Sequence, residues 1–212
     1  MLHIEKMTFN PFQENTYLLY DENGTCVVID PGNQNPVEDQ ELLNRIADLK
    51  LQPVMIFNTH AHLDHIFGNQ TLVDTFHIPV ALHEKEFEMY QATPQVAQMY
   101  GMPPFETPEP EIKIDVSQAL KVGTEELRIL FTPGHSPGEV SLYHEASGQL
   151  IAGDVLFRES IGRTDLPGGD YDTLIRSIKE QLLVLPEETK VYSGHGPDTT
   201  IGHEKRNNPF LQ

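Results

Sequence analysis

Short apolar, β-branched and aromatic runs bounded by turn residues recur along the whole chain. They are TYLLY (16–20), CVVID (26–30), VMIF (54–57), PVAL (79–82), IKID (112–115), LRILF (127–131), VSLYH (140–144), LIAG (150–153) and KVYSG (190–194). Runs of this composition predict strands. Between them the period changes to that of a helix in PVEDQELLNRIADLK (36–50), where Val37, Leu42, Leu43, Ile46 and Leu49 are expected on one stripe and Pro36 suits a first-turn position. A second helix is expected over DYDTLIRSIKEQLLVL (170–185), with Asp170 or Asp172 as N-cap and Leu174, Ile175, Ile178 and Leu182 facing inward. Weaker helical patterns lie at 68–76 and 84–100, and the proline-rich GMPPFETPEPE (101–111) reads as an exposed connector rather than a flap. Strands mixed with helices along the whole chain predict a layered α/β domain, with antiparallel hairpins over 16–30 and 140–153.

Length and charge narrow this picture. The 212 residues fit a single domain, 1–212, and a 38% hydrophobic content supports a substantial core. No apolar run reaches the roughly 18 residues of a membrane span. The start, MLHIEKMTFNPF, has neither the basic nor the long apolar region of a signal peptide. The single cysteine, Cys26, excludes an internal disulfide and is expected to be a buried, inert thiol, so the expected location is the cytoplasm. With 32 acidic against 14 basic residues and a formal charge of −18, the chain repels phosphate backbones and anionic lipid. No Lys/Arg run exceeds the pair Lys205–Arg206. Nucleic acid and membrane partners are therefore not expected, and a monomer is.

The chemistry concentrates in NTHAHLDH (58–65), which carries His60, His62, Asp64 and His65 directly after an apolar strand run. In an extended segment His60, His62 and Asp64 would face one side, while His65 would begin the turn into the next helix and face elsewhere. Such a run can serve two neighbouring centres. The same format, a strand followed by small or turn-forming residues and then a donor, recurs in LRILFTPGH with His135, LIAGD with Asp154 and KVYSGH with His195. Four strand ends thus deliver five histidines and two aspartates. The remaining histidines, His3, His77, His83, His144 and His203, do not share the format.

Imidazole and carboxylate without thiolate suit zinc, iron or manganese. Seven donors exceed one catalytic zinc, which uses three protein ligands plus water. They fit two divalent metals sharing one carboxylate and a bridging hydroxide, with the ions about 3.5–4 Å apart. Such a pair ionises water near neutrality and polarises a scissile carbonyl, so hydrolysis is the expected chemistry.

THAHLDH, TPGHSPG, IAGDVLF and SGHG, in this order, resemble the metallo-β-lactamase superfamily, and the resemblance runs from NTYLLY and IDPGN to NNPF. It implies an αββα sandwich, with two mixed β-sheets flanked by helices. It also implies that His60, His62 and His135 hold one metal, that Asp64, His65 and His195 hold the other, and that Asp154 bridges them. Within the superfamily, GDVLFRESIGRTDLPGGD looks most like glyoxalase II, the hydroxyacylglutathione hydrolases, in their short bacterial form. That resemblance implies hydrolysis of S-D-lactoylglutathione to D-lactate and glutathione by the bridging hydroxide, most often with zinc. Asp64 would also orient the hydroxide. Arg163 matches the position where the family turns a basic residue toward glutathione, and Arg158, Lys205 and Arg206 are further candidates of the same kind. The helical C-terminal domain of full-length glyoxalase II has no counterpart after His195, and GRTD and GHGPDTT lack the tyrosines that the long form uses near glutathione. No separate substrate-binding domain is therefore expected.

Two other readings compete. A persulfide dioxygenase of the same superfamily uses a single iron held by two histidines and an aspartate, and also has a GRTD-like stretch. A non-catalytic metal-binding module would bind metal without turnover. A secreted lactamase is disfavoured because no export segment is visible, and a tRNA nuclease because the chain is acidic and has no basic arm.

Overall fold

The structure, a computed structural model, describes residues 1–102 and 104–212. Pro103, part of the expected 101–111 connector, lies outside the described residues; residues 104–111 form neither helix nor strand. The chain groups into two compact units, one of residues 1–114 with 121–125 and the other of 115–120 with 126–212.

The first unit is built on a mixed sheet of six strands in sequence order: β1 (His3–Phe9), β2 (Glu14–Tyr20), β3 (Thr25–Ile29), β4 (Gln52–Phe57), β5 (Val80–Leu82) and β6 (Ile112–Lys113). β1, β2 and β3 pair antiparallel, as the hairpin expected over 16–30 requires. From β3 onward the pairs are parallel, and helices make the returns: α1 (Pro36–Asp48) between β3 and β4, and α2 (Asn69–Phe76) between β4 and β5. The core of this layer joins Leu18, Val28, Ile56 and Val80 of the sheet to Leu42 and Ile46 of α1 and Leu72 of α2. A smaller cluster sets Tyr90 of α3 (Phe87–Met99) against Ala61, Ile66 and Leu82.

Local sequence explains where α1 starts. The Asn35 side chain accepts the N–H groups of Val37 and Glu38, and Pro36 fills the first turn. Val37 does not join the buried stripe; it is 77% exposed. The helical angle is the reason. At about 100° per residue, Val37 lies about 140° from Leu42 and opposite Ile46. Cys26 is buried as expected, and burial pushes its thiol up to about 12.

The second unit carries a sheet ordered β14-β13-β10-β9-β8-β7, from β7 (Ala119–Val122), β8 (Glu125–Phe131), β9 (Val140–His144), β10 (Gln149–Gly153), β13 (Lys190–Ser193) and β14 (Thr199–Thr200). A separate two-strand hairpin pairs β11 (Leu156–Phe157) with β12 (Ser160–Ile161). β9 runs antiparallel to both β8 and β10, and β10 runs parallel to β13. The C-terminal ends of β8, β10 and β13 therefore lie on one edge of the sheet. α4 (Tyr171–Ser177) is capped by Asp170, whose carboxylate accepts the Thr173 N–H at 2.8 Å. The helix then widens into a π turn over Ile178–Leu182, so the expected helix ends as a looser turn. Its inward residues Leu174, Ile178 and Leu182 pack with Leu150, Val155 and Val191, and Ile175 is only partly buried. α5 (Ile201–Asn207) closes the unit.

β1, β7, β11, β12, β14 and α5 were not expected. β1 interleaves Glu5 and Lys6 among its apolar residues, four of the other five elements are two to four residues long, and the fifth, α5, depends on its cap, Thr200 accepting the His203 N–H at 3.1 Å. Neither case leaves a periodic signal. Among the described residues no helix is long and apolar enough to cross a membrane.

Candidate metal centre

In the first unit, strand β4 delivers Asn58 to His65 onto a loop above the sheet. His60 and His65 are fully buried, and His62 and Asp64 are half-buried. The His60 ring lies edge-on to His62 at 4.8 Å between centroids and tilted against His65 at 4.2 Å. Asp64 does not continue the extended run expected from His60 and His62. Leu63–His65 form a single 3₁₀ turn, which places Asp64 Oδ2 3.7 Å from His65 Nε2. The turn, rather than a two-residue alternation, decides which way these side chains face.

A buried network sets the ring orientations. Asp30, at the end of β3, accepts the Thr59 N–H on Oδ1 at 2.7 Å and the Thr59 hydroxyl on Oδ2 at 2.6 Å. Thr59 Oγ1 has then spent its hydrogen, so at 3.0 Å from His60 Nδ1 it accepts from that nitrogen. Asp30 Oδ2 also lies 3.2 Å from His65 Nδ1. Both rings therefore carry hydrogen on Nδ1 and present the Nε2 lone pair, the arrangement that metal-binding histidines use. Asp30, His60 and His65 bring potential ligand atoms within 4.8 Å of one another, but Asp30 sits on the Nδ1 side and orients the rings. Behind it Glu14 is fully buried, 3.9 Å from His65 Nδ1, and burial pushes its carboxyl well above the usual range. Glu86, also buried, accepts the Ala61 N–H at 2.9 Å and so fixes the main chain between His60 and His62.

In the second unit the donors come from three strand ends. Asp154 follows β10, and its Oδ2 lies 3.5 Å from His135 Nε2 and 3.4 Å from His195 Nε2. His135 Nδ1 is 2.8 Å from the Arg163 carbonyl oxygen, which can only accept, so Nε2 again carries the lone pair. Glu139, buried, accepts the Asp154 N–H at 2.7 Å. Gly162 makes this closeness possible: a Cβ there would lie 1.9 Å from the Asp154 carbonyl oxygen and 3.1 Å from His135 Cβ. Phe157 stands edge-on to His195 at 6.1 Å.

The donor chemistry of each unit fits a divalent metal: imidazoles, of which His60, His65 and His135 have settled tautomers, carboxylates beside them, and an unreactive thiol elsewhere. The expected substrate residues are placed differently. The Arg163 guanidinium is exposed and grips Asp165 with two 2.7 Å hydrogen bonds, while its carbonyl oxygen lies 2.8 Å from His135 Nδ1. That grip holds the Asp165 carboxyl down to about 2. Arg206 is exposed and bonds Glu187 at 2.8 Å, Arg158 is exposed, and Lys205 is half-buried on α5. Sequence reasoning missed Asp30, Thr59, Glu86, Glu139 and Gly162. Asp30 had a signal, since CVVID ends an apolar strand on an aspartate just as LIAGD does.

A family model described as the metallo-beta-lactamase superfamily matches residues 9–195. A hydroxyacylglutathione hydrolase, GloC, of Haemophilus influenzae is 37% identical over 99% of this chain and 98% of its own length. A probable metallo-hydrolase, YqgX, of Bacillus subtilis is 40% identical over 97% and 96%. Among solved structures, the BLEG-1 B3 metallo-beta-lactamase superposes with a TM-score of 0.90 at 40% identity, over 99% of this chain and 100% of that one. TTHA1623 in a di-iron-bound form superposes with a TM-score of 0.88 at 39% identity, over 98% and 100%. The chain therefore belongs to the metallo-beta-lactamase superfamily and has its α/β fold, two mixed β-sheets flanked by helices.

Proposed function

We propose that this chain is a thioester hydrolase that cleaves S-D-lactoylglutathione to D-lactate and glutathione with two divalent metal ions. The observation that carries the reading is the donor set, in which His60, His65 and His135 each have Nδ1 engaged, which puts the lone pair on Nε2. By the resemblance, His60, His62 and His135 would hold one ion and Asp64, His65 and His195 the other, with Asp154 available to both. The ions, when bound, supply a water that ionises near neutrality and a Lewis acid for the carbonyl oxygen. Asp64 would orient the attacking water by accepting its hydrogen bond. Asp30, Glu86 and Glu139 hold the ligand loops still, so that little reorganisation accompanies the reaction. The leaving thiolate, with an ordinary thiol pKa near 8.5, departs without a strong general acid.

The 37% identity to a hydroxyacylglutathione hydrolase supports the substrate. Arg163 is the first candidate for a glutathione carboxylate. Its pair with Asp165 is solvent-exposed, 60% and 68%, and exposed pairs exchange partners at little cost. Arg158, Lys205 and Arg206 are secondary candidates. The likeness to a B3 metallo-beta-lactamase favours a second reading, hydrolysis of a lactam amide by the same donors.

The test is to purify the chain, count bound metals, and assay S-lactoylglutathione, a β-lactam and oxygen consumption with a persulfide. The expected result is about two metals per chain and thiol release without oxygen uptake. A metal-loaded chain that opens the lactam and leaves the thioester intact would overturn the substrate, and one iron with oxygen uptake would overturn hydrolysis altogether.

A further inference from the structure

We propose that Asn10 is a positioning residue for Asp64, an inference that rests on the metal-dependent reading above. β1 and β2 end their pairing at Phe9 and Glu14, which leaves residues 10–13 to make the turn. Asn10 opens this turn with φ at +53°, a left-handed conformation that asparagine tolerates better than most side chains, and it is buried at 8% exposure.

The turn holds itself together with only part of Asn10. The Asn10 carbonyl accepts the Gln13 N–H at 3.1 Å, its side-chain oxygen accepts the Phe12 N–H at 2.9 Å, and its own N–H donates to Glu38 at 3.1 Å. The amide nitrogen serves the turn in no way. Its two hydrogens go to carbonyl oxygens distant in sequence, Gly32 at 2.9 Å and Asp64 at 3.0 Å. The network also decides the orientation of the amide. Reversed, it would set its oxygen against two carbonyl oxygens and its nitrogen against a donor.

Asp64 needs an anchor from outside its own segment because it lies in a 3₁₀ turn of only three residues. Gly32 walls the same junction: a Cβ there would fall 2.6 Å from the Asp64 carbonyl oxygen and 2.8 Å from the Asn10 amide nitrogen. The Asp64 main chain is thus held by one amide and hemmed by one glycine, from two loops that carry no metal donor. Asn10 touches neither metal nor substrate in this scheme; it acts through Asp64.

Asn10→Asp tests the idea with little change in size, backbone preference or the bond to Phe12, since only the donor is replaced by an acceptor. Asn10→Ala removes both. The readouts are metals per chain after dialysis, the visible spectrum of the cobalt-substituted protein, kcat and KM separately, and thermal melting as a control on folding. The expected result is a folded protein that weakens by about 10–100-fold for one of its two ions, with an altered cobalt spectrum and a fall in kcat larger than any change in KM. Folded variants with wild-type metal content and spectrum would overturn the inference while an active wild type leaves the hydrolase reading standing. Failure of both variants to fold would overturn it too, in favour of a purely turn-forming role. A wild-type chain that holds no metal would overturn both.

Discussion

The two units prepare their donors in opposite ways. The first places His60, His62, Asp64 and His65 within one short loop and orients two of the rings through side chains, Asp30 directly on His65 and through Thr59 on His60. The second draws His135, Asp154 and His195 from three strand ends and orients His135 through main chain, the Arg163 carbonyl, over a glycine that permits the approach. A side-chain brace can be removed by substituting the residue that carries it. A carbonyl brace survives every substitution that leaves the backbone in place. The oriented rings of the first unit are therefore vulnerable at Asp30, and His135 in the second at Gly162.

The largest effect should come from the donors themselves, where the units are expected to behave alike. His60→Ala and Asp154→Ala should each lower thioester hydrolysis about a thousandfold or more, since a metal centre supplies several kcal/mol of transition-state stabilisation. Steady-state kinetics on metal-reconstituted protein check this, and a large loss in only one of the two would mean that one unit's donors suffice.

Gly162→Ala comes next. A Cβ 1.9 Å from the Asp154 carbonyl oxygen forces the main chain apart, and displacing catalytic groups by about 1 Å costs on the order of a hundredfold in rate. Melting should also show a loss of about 1–3 kcal/mol, typical of overpacking. An active, stable Gly162→Ala protein would contradict the main-chain account of the second unit.

Asp30→Asn should cost about 10–100-fold in metal affinity, read by chelator competition, because one amide oxygen cannot serve the Thr59 N–H, the Thr59 hydroxyl and His65 Nδ1, which the carboxylate shares between two oxygens. Arg163→Ala sharpens the contrast. It keeps the carbonyl on His135, so metal content should stay at the wild-type level while KM for a glutathione thioester rises by up to about fivefold, the range of an exposed ion pair. Metal loss in Arg163→Ala would show that the guanidinium, not the carbonyl, fixes His135.

The smallest effect is a titration. Arg163 holds the Asp165 carboxyl at about 2 against an ordinary 3.8. A depressed carboxylate favours the folded form at any pH above its unfolded value, and that contribution fades as pH falls from about 4 toward 2. Carboxyl resonances followed by NMR should show this low midpoint in the wild type and a return toward the ordinary value in Arg163→Ala.

What was readable in the sequence followed from local rules. Strand runs, Pro36 in the first turn of α1 and the cap at Asp170, one of two candidates, each depend on a few neighbouring residues, and they appeared where expected. The candidate donors were legible for the same reason, since each follows a strand end and a small or turn-forming residue within one short stretch; their role as ligands belongs to the proposed function. Family resemblance added the fold, which the match over residues 9–195 bears out. The sequence was silent, or misleading, wherever a choice depended on distant partners. Val37 scored as core yet lies on the wrong angle of its helix, the 3₁₀ turn at Asp64 replaced the expected alternation, and the shortest strands exist only because a neighbour pairs with them. Asp30, Glu86, Glu139 and Gly162 matter through hydrogen bonds and close contacts with residues 8 to 35 positions away, and no local pattern encodes a partner at that separation. Residue types and their local spacing declare which atoms can bind a metal; only the packed chain decides which nitrogen faces it and what keeps that ring from turning.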